Sequence, residues 1–316
     1  MNILGEFHAF FIGKAYNNRY TEVMFNNPYN DYISTLQAGY RQAASIQTSK
    51  ASLPDHCPIV DTAPKVVILA PHPDDECVMG GLPLRLRREA GCEVTTLPVT
   101  LGSRQERKEE RKKELKDACE ALGFSMEEVT PPGLDQINPD SRKSNPENWE
   151  KAVISLSTAL EKHAPSILFF PNHEDWNQTH LGVNLLTHDA LKVAKLDEIT
   201  LIETEFWGQM PSPNLLVEST AAEVADLVHA LSFHRGEVAR NPFHLRLPAW
   251  MQDNVRRGAE VIGGQGEPAP TFDFATPYRV SLWKNKALYK MWNGGKMLPA
   301  SSPSSVPLVE QISPVI

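Results

Sequence analysis

The run VVILAPHPDDECVMGG, residues 66–81, constrains this chain more than any other stretch. Val66 to Ala70 are apolar and rich in β-branched side chains, the pattern of a strand buried on both faces. Pro71 and Pro73 then stop the ladder, because proline lacks an amide donor and restricts the residue before it. A helical pattern resumes from about Cys77 to Ala90. Between them, one imidazole (His72) and three carboxylates (Asp74, Asp75, Glu76) crowd together at the carboxyl end of a strand, where open α/β sheets bind ligands. Such side chains can be helix-capping and first-turn acids beside a surface histidine. The alternative is a bound dication that neutralises the charge. An imidazole with carboxylates suits zinc, or a borderline ion such as iron, manganese or cobalt. His72 and Asp75 can supply two ligands, and Asp74, pointing elsewhere from the same turn, can serve as general base. A catalytic zinc site wants three protein ligands and one open position, so a third ligand has to come from farther along the chain.

Composition narrows the class. The chain has 316 residues, 41% hydrophobic, enough for a large core in one domain or two. A net charge of −8 gives no electrostatic reason to expect a nucleic-acid partner, and argues mildly against a polyanionic substrate. No apolar run approaches the roughly 18 residues of a membrane span. The first residues lack a basic region and a small-residue cleavage site, so a cytoplasmic location is expected. Cys57, Cys77, Cys92 and Cys119 form no CxxC pair and read as reduced, structural thiols.

Along the chain, residues 1–63 read as an extension. It has helical pieces at Phe7–Phe11 and Tyr32–Ile46, a turn at 26–30 and a Ser/Pro-rich linker from 47. Asp55, His56 and Cys57 stand together, but without a partner pair they read as linker residues. Strands are expected at 92–102, 166–171 and 200–208, and helices at 103–124, 148–162 and 221–237, with a loop over 125–150. Alternation of this length predicts a Rossmann-like α/β fold: a mostly parallel sheet flanked by helices, with the N-terminal extension and a C-terminal α+β region. The expected divisions are 1–63, 64–280 and 281–316, the last ending in a mobile tail. No GxGxxG follows the first strand, which argues against a dinucleotide-binding protein.

PHPDDE at 71–76 resembles the AHPDDE signature of the PIG-L/LmbE-like zinc-dependent N-deacetylases. The resemblance covers about 64–280. RKKELKDACEALG resembles the family's RxxEL…A…LG helix and implies that Arg111 approaches the substrate; Asp135 resembles the family's acid that binds sugar hydroxyls. PNHEDWNQTHLG (171–182) occupies the place of the family's HPDH turn and helix. That implies His180 as the third metal ligand, beside His72 and Asp75, with Thr179 as helix cap. The sequence departs from the family at Asn177, which replaces the first His of HPDH. Asn177 can donate to an oxyanion but cannot supply a proton. His173 and His234 are then the candidates for that role, unless Asp74 serves as both base and acid. His173 is also an alternative ligand and a candidate for substrate contact. ALSFHRGE (230–237) resembles the family's ALxxHxSQ, with His234 matching the family His.

The implied activity is zinc-dependent (or Fe2+-dependent) removal of an acetyl group from a small N-acetylglucosamine-type conjugate. A catalytically impaired, metal-containing binding protein of the same fold is the rival reading, motivated by Asn177, Thr179 and the altered ALSFHRGE.

Overall fold

In the computed structural model the described residues are 27–46, 58–300 and 308–313. Two compact units divide the chain, residues 1–45 and 46–316. In the first, α1 (Asn30–Ala44) follows a turn in which the Asn27 side chain accepts the Tyr29 amide at 3.0 Å; none of the helix's residues is buried. The expected helical piece at 7–11, and the trio Asp55, His56 and Cys57, lie outside the described residues.

The second unit is built in chain order from β1 (Val66–Ala70), α2 (Asp75–Val78), α3 (Gly81–Glu89), β2 (Val94–Pro98), α4 (Lys108–Leu122) and β3 (Ser125–Met126). There follow α5 (Pro139–Ser144), α6 (Pro146–His163), β4 (Ile167–Pro171), α7 (Gln178–Val193), β5 (Glu198–Thr204) and β6 (Leu215–Ser219). The chain ends with α8 (Ala221–Leu231), α9 (Arg235–Arg240), α10 (Leu247–Gly258), β7 (Phe274–Lys284), β8 (Ala287–Lys290), β9 (Lys296–Leu298) and α11 (Leu308–Gln311). One sheet runs β3-β2-β1-β4-β5-β7-β6-β9, with β8 paired to β7. The first five strands are parallel; β7 pairs antiparallel to both β5 and β6. The expected mostly parallel sheet is present, with an antiparallel flank.

β1 has both faces covered. Its alternate residues Val66 and Ile68 pack into one core, which includes Leu84, Leu115 and Leu227 from α3, α4 and α8. Val67 and Leu69 pack into the other, with Leu156 and Leu160 from α6 and Leu186 from α7. The period of two thus sends one strand's side chains into two helical layers. Strand order reverses between β1 and β4, because the chain moves from β1 to β2 on one side and returns to β4 on the other. A crevice at the carboxyl ends of those two strands is the consequence.

Several sequence expectations shift. The single helix expected over about 77–90 is two helices, broken at Met79–Gly80. Gly80 has φ 86, and a Cβ there would lie 2.2 Å from Thr276 Oγ1. The Tyr278 hydroxyl bridges the break, donating to the Met79 carbonyl at 2.6 Å and accepting the Leu82 amide at 3.2 Å. The helix expected over 103–124 begins at Lys108, after a 3-10 turn. That over 221–237 stops at Leu231 and restarts at Arg235, so His234 caps a helix start. The supposed loop over 125–150 holds β3, α5 and the first turn of α6, each helix opened by an asparagine cap and a proline. The division expected at 280 falls inside β7, and β8 and β9 belong to the same sheet. Of the tail expected to be mobile, 301–307 and 314–316 lie outside the described residues, and Leu308–Gln311 form α11.

Candidate active site

The crevice between β1 and β4 brings His72, Asp75 and His180 together. One ligand atom from each lies within 4.8 Å of the others. Asp75 Oδ2 is the hub: it accepts the His72 amide at 2.9 Å, lies 3.4 Å from His72 Nδ1, and 3.4 Å from His180 Nε2. The Pro-bracketed turn aims both side chains of one segment at this point. His180 comes from the first turn of α7, whose start is capped by the Asn177 side chain, accepting from the Thr179 amide at 2.9 Å and the His180 amide at 3.4 Å. The expected cap, Thr179, is inside the helix, because Asn177 is better placed to reach both free amides.

His180 is 0% exposed. Its Nδ1 donates to Asp175 Oδ2 at 3.2 Å, and Asp175 is in turn held by the amides of Asn177 at 2.8 Å and Trp207 at 3.3 Å. Its Nε2 makes no aligned hydrogen bond. Burial alone would push the His180 pKa down, but the Asp75 and Asp175 carboxylates outweigh it and hold it at about 10. Burial opposes ionisation of Asp75 as well, and the two imidazoles prevail and lower its pKa. Two imidazoles and one carboxylate, whose ligand atoms converge within 4.8 Å, fit a borderline divalent ion.

Asp74 sits beside this triad with φ 123, a conformation rarely adopted by a residue with a side chain. The strain is held from behind. The Asp74 amide donates to Glu76 Oε2 at 2.9 Å, and the other oxygen of Glu76 accepts from His234 Nε2 at 2.7 Å and the Cys77 thiol at 3.2 Å. Burial, then the Asp75 charge, raises the Asp74 pKa well above its usual value, although His234 and Arg111 pull it back. Arg111 donates to the Pro73 carbonyl at 3.0 Å and lies 4.0 Å from Asp74 Oδ2. Gly102 makes room for it: φ is 88 there, and a Cβ would lie 2.3 Å from Arg111 Nη1.

A polar cleft of about 570 Å³ opens beside His72, lined among others by Ser103, Gln105, Arg111, Asp135 and Asn138. Asp135 is on its rim, its side chain 51% exposed and paired at 2.7 Å with the buried ammonium of Lys108. Two expected site residues are placed elsewhere. His234 is 0% exposed and meets Glu76, whose other oxygen accepts the Asp74 amide, and it does not line the cleft. His173 lies at the β5 side, 3.1 Å from Glu203 and 2.9 Å from Arg279, and does not join the triad. His188 meets Phe170 edge-on at 5.6 Å. Asp175 has no signal in the sequence, and the sequence marks Glu76 only as one of three crowded acids, with no role of its own. Asp175 precedes His180 by five residues across a turn, a spacing with no periodic signal, and Glu76 reads as one more first-turn acid.

Residues 67–191 match the family model described as PIG-L, GlcNAc-PI de-N-acetylase. The matched segment contains the whole triad, together with Asp74, Arg111, Asp135 and Asp175. Over 122 residues the chain is 41% identical to the probable N-acetyl-alpha-D-glucosaminyl L-malate deacetylase 2 of Bacillus cereus, covering 34% of this chain and 52% of that protein. The chain therefore matches about half the length of this curated relative. Two solved structures share the fold at a TM-score of 0.52. GalB, the 4-carboxy-2-hydroxymuconate hydratase of Pseudomonas putida KT2440, is 15% identical, with 69% of this chain and 95% of that one covered. The zinc-inhibited form of teicoplanin deacetylase Orf2 is 14% identical, with 70% and 98% covered. One neighbour is named a hydratase and the other a deacetylase, so the fold does not choose the reaction and the side chains at the site must.

Proposed function

We propose that the protein is a metal-dependent amide hydrolase, with zinc as the expected ion, that removes the acetyl group of an N-acetylglucosamine-type conjugate. The observation that carries this is the meeting of His72 Nδ1 and the buried His180 Nε2 at one oxygen of Asp75, each at 3.4 Å, with His180 locked from behind by Asp175. His72, Asp75 and His180 would hold a divalent ion, which would supply Lewis acidity and lower the pKa of a water there. Asp74, beside the triad, takes the proton of the attacking water, and its raised pKa suits it to return that proton to the departing amine. Acetate and a free amine result. Arg111 fixes the turn that carries Asp74, and the polar cleft offers hydroxyl partners at Asp135, Asn138 and Gln105. The cap at α7 engages Asn177 Oδ1, which leaves Asn177 Nδ2 to donate to an oxyanion. A cytoplasmic setting fits the buried free thiols of Cys77, Cys92 and Cys119.

The test is acetate release from N-acetylglucosamine conjugates by wild type and Asp74→Asn, with metal content determined for both. Release by wild type alone, at equal metal content, is expected. A second reading, a metal-holding binding protein, is motivated by Asn177 standing in place of a proton donor. It requires Asp74→Asn to change neither metal content, ligand binding nor any rate.

A further inference from the structure

The carboxyl edge of the sheet carries two recesses, and the strand order fixes how they lie. Thr100, Gly102 and Ser103 follow β2 and wall the polar cleft. Phe206 and Trp207 follow β5 and wall a second groove of about 300 Å³, shared with Val78, Phe243, Leu247 and Trp250 and with the polar side chains of Gln209 and Arg246. The triad hangs on β1 and β4, which stand between β2 and β5 in the sheet. The two recesses therefore flank it.

The second groove touches the triad through two elements. Phe206 meets the His180 ring edge-on at 4.9 Å, and Val78 ends the helix that Asp75 opens. Its walls are aromatic: Trp207 lies 6.0 Å from Phe243 and 6.4 Å from Trp176. The charge at its base is already matched. Glu205 binds the Arg257 guanidinium through one oxygen and accepts the Met210 amide through the other at 2.7 Å. Exposed tryptophan at the rim of an apolar groove marks a binding surface. From Glu205 to Trp250 the lining lies beyond the segment 67–191 that the family model matches.

We propose that this groove holds an alkyl or aryl group of the substrate, next to the scissile amide, while the sugar ring occupies the polar cleft. The proposal rests on the deacetylase reading above. The scissile carbon lies at the triad, between the recesses. An apolar group reaches the groove either as a longer acyl chain or as an aglycone on the neighbouring glycosidic oxygen.

Three substrates separate these sources: methyl N-acetylglucosaminide, its octyl glycoside, and the methyl glycoside carrying an N-hexanoyl group. One of the two longer substrates is expected to exceed the methyl N-acetyl compound in kcat/KM by about fourfold per buried methylene, until the groove is full. The one that gains identifies the source. Trp250→Ala is expected to bring that ratio toward one, and Trp250→Phe to keep most of it, which separates loss of the wall from loss of folding. Equal kcat/KM for all three substrates, or a gain that survives Trp250→Ala, overturns the proposal. If none is hydrolysed, the deacetylase reading fails, and the groove is judged by tryptophan fluorescence. A saturable change with the octyl but not the methyl glycoside supports it, and no change with either overturns it.

Discussion

Nδ1 of His180 donates to Oδ2 of Asp175 across 3.2 Å, with both side chains fully buried. A carboxylate only accepts, so this bond fixes which nitrogen carries the proton and leaves Nε2 for the proposed ion. Asp175→Ala is expected to lower metal affinity by about 10- to 100-fold, measured by competition with a chromogenic chelator. Unchanged affinity would mean that packing against Phe206 alone orients the ring.

Metal binding and proton binding compete at the same nitrogen. Without metal the two flanking carboxylates hold the His180 pKa at about 10, above its ordinary 6.5. The raised value stabilises the metal-free fold fully below pH 6.5, and this stabilisation is lost as pH rises through about 10. Conversely, metal binding at pH 7–8 should release about one proton, and affinity should climb with pH up to that limit. Titration calorimetry in buffers of different ionisation enthalpy reads the proton count. A count of zero would contradict the charged imidazole.

Asp74→Asn keeps the size of the side chain and removes its basicity. A loss in kcat of about 10²- to 10⁴-fold is expected, at full metal occupancy. A variant that lost its metal along with its activity would instead make Asp74 a ligand.

Gly102→Ala places a methyl against the Arg111 guanidinium and strains a backbone at φ 88. The expected cost is about 1–3 kcal/mol in stability, together with a higher KM, because Arg111 would be displaced from the Pro73 carbonyl. Urea unfolding and steady-state kinetics measure the two effects separately. An unchanged KM would remove Arg111 from substrate positioning.

His234 and Glu76 form a buried pair at 2.7 Å. Burial would lower the His234 pKa, and the Glu76 charge outweighs it, so the net shift is upward. His234→Ala leaves Glu76 uncompensated and is expected to cost about 3–5 kcal/mol in urea unfolding. Metal affinity should be little affected, since neither residue joins the triad. A near-neutral effect would show that Glu76 takes up a proton when His234 is lost.

Much of the site could be read along the chain where its residues are close in sequence. His72, Asp74 and Asp75 share one turn, and the prolines around them show that the strand ends there. Arg111 and His180 needed the family pattern, and both arrive beside that turn. Asp175 was hidden because its meaning depends on where α7 begins. Placing the cap at Asn177 rather than Thr179 aims the His180 ring at Asp75. His234 resembles a site residue by its motif, but it lies buried one layer behind, against Glu76. The split of the helix after Asp75 was invisible too, because the hydroxyl that bridges the break belongs to Tyr278, almost two hundred positions away.

Local sequence determined the buried strands, the turn that holds the acids, the residue types suited to a divalent ion and the helices that cover the sheet. These follow from periodicity, proline geometry and ligand chemistry, which operate over a few residues. The tertiary structure alone decided which carboxylate backs His180, which histidine stays buried, and that an aromatic groove follows β5 beside the triad. Strand order is the reason. β1, β4 and β5 are separated in sequence and adjacent in the sheet, so the groups at their carboxyl ends meet only after the sheet has formed.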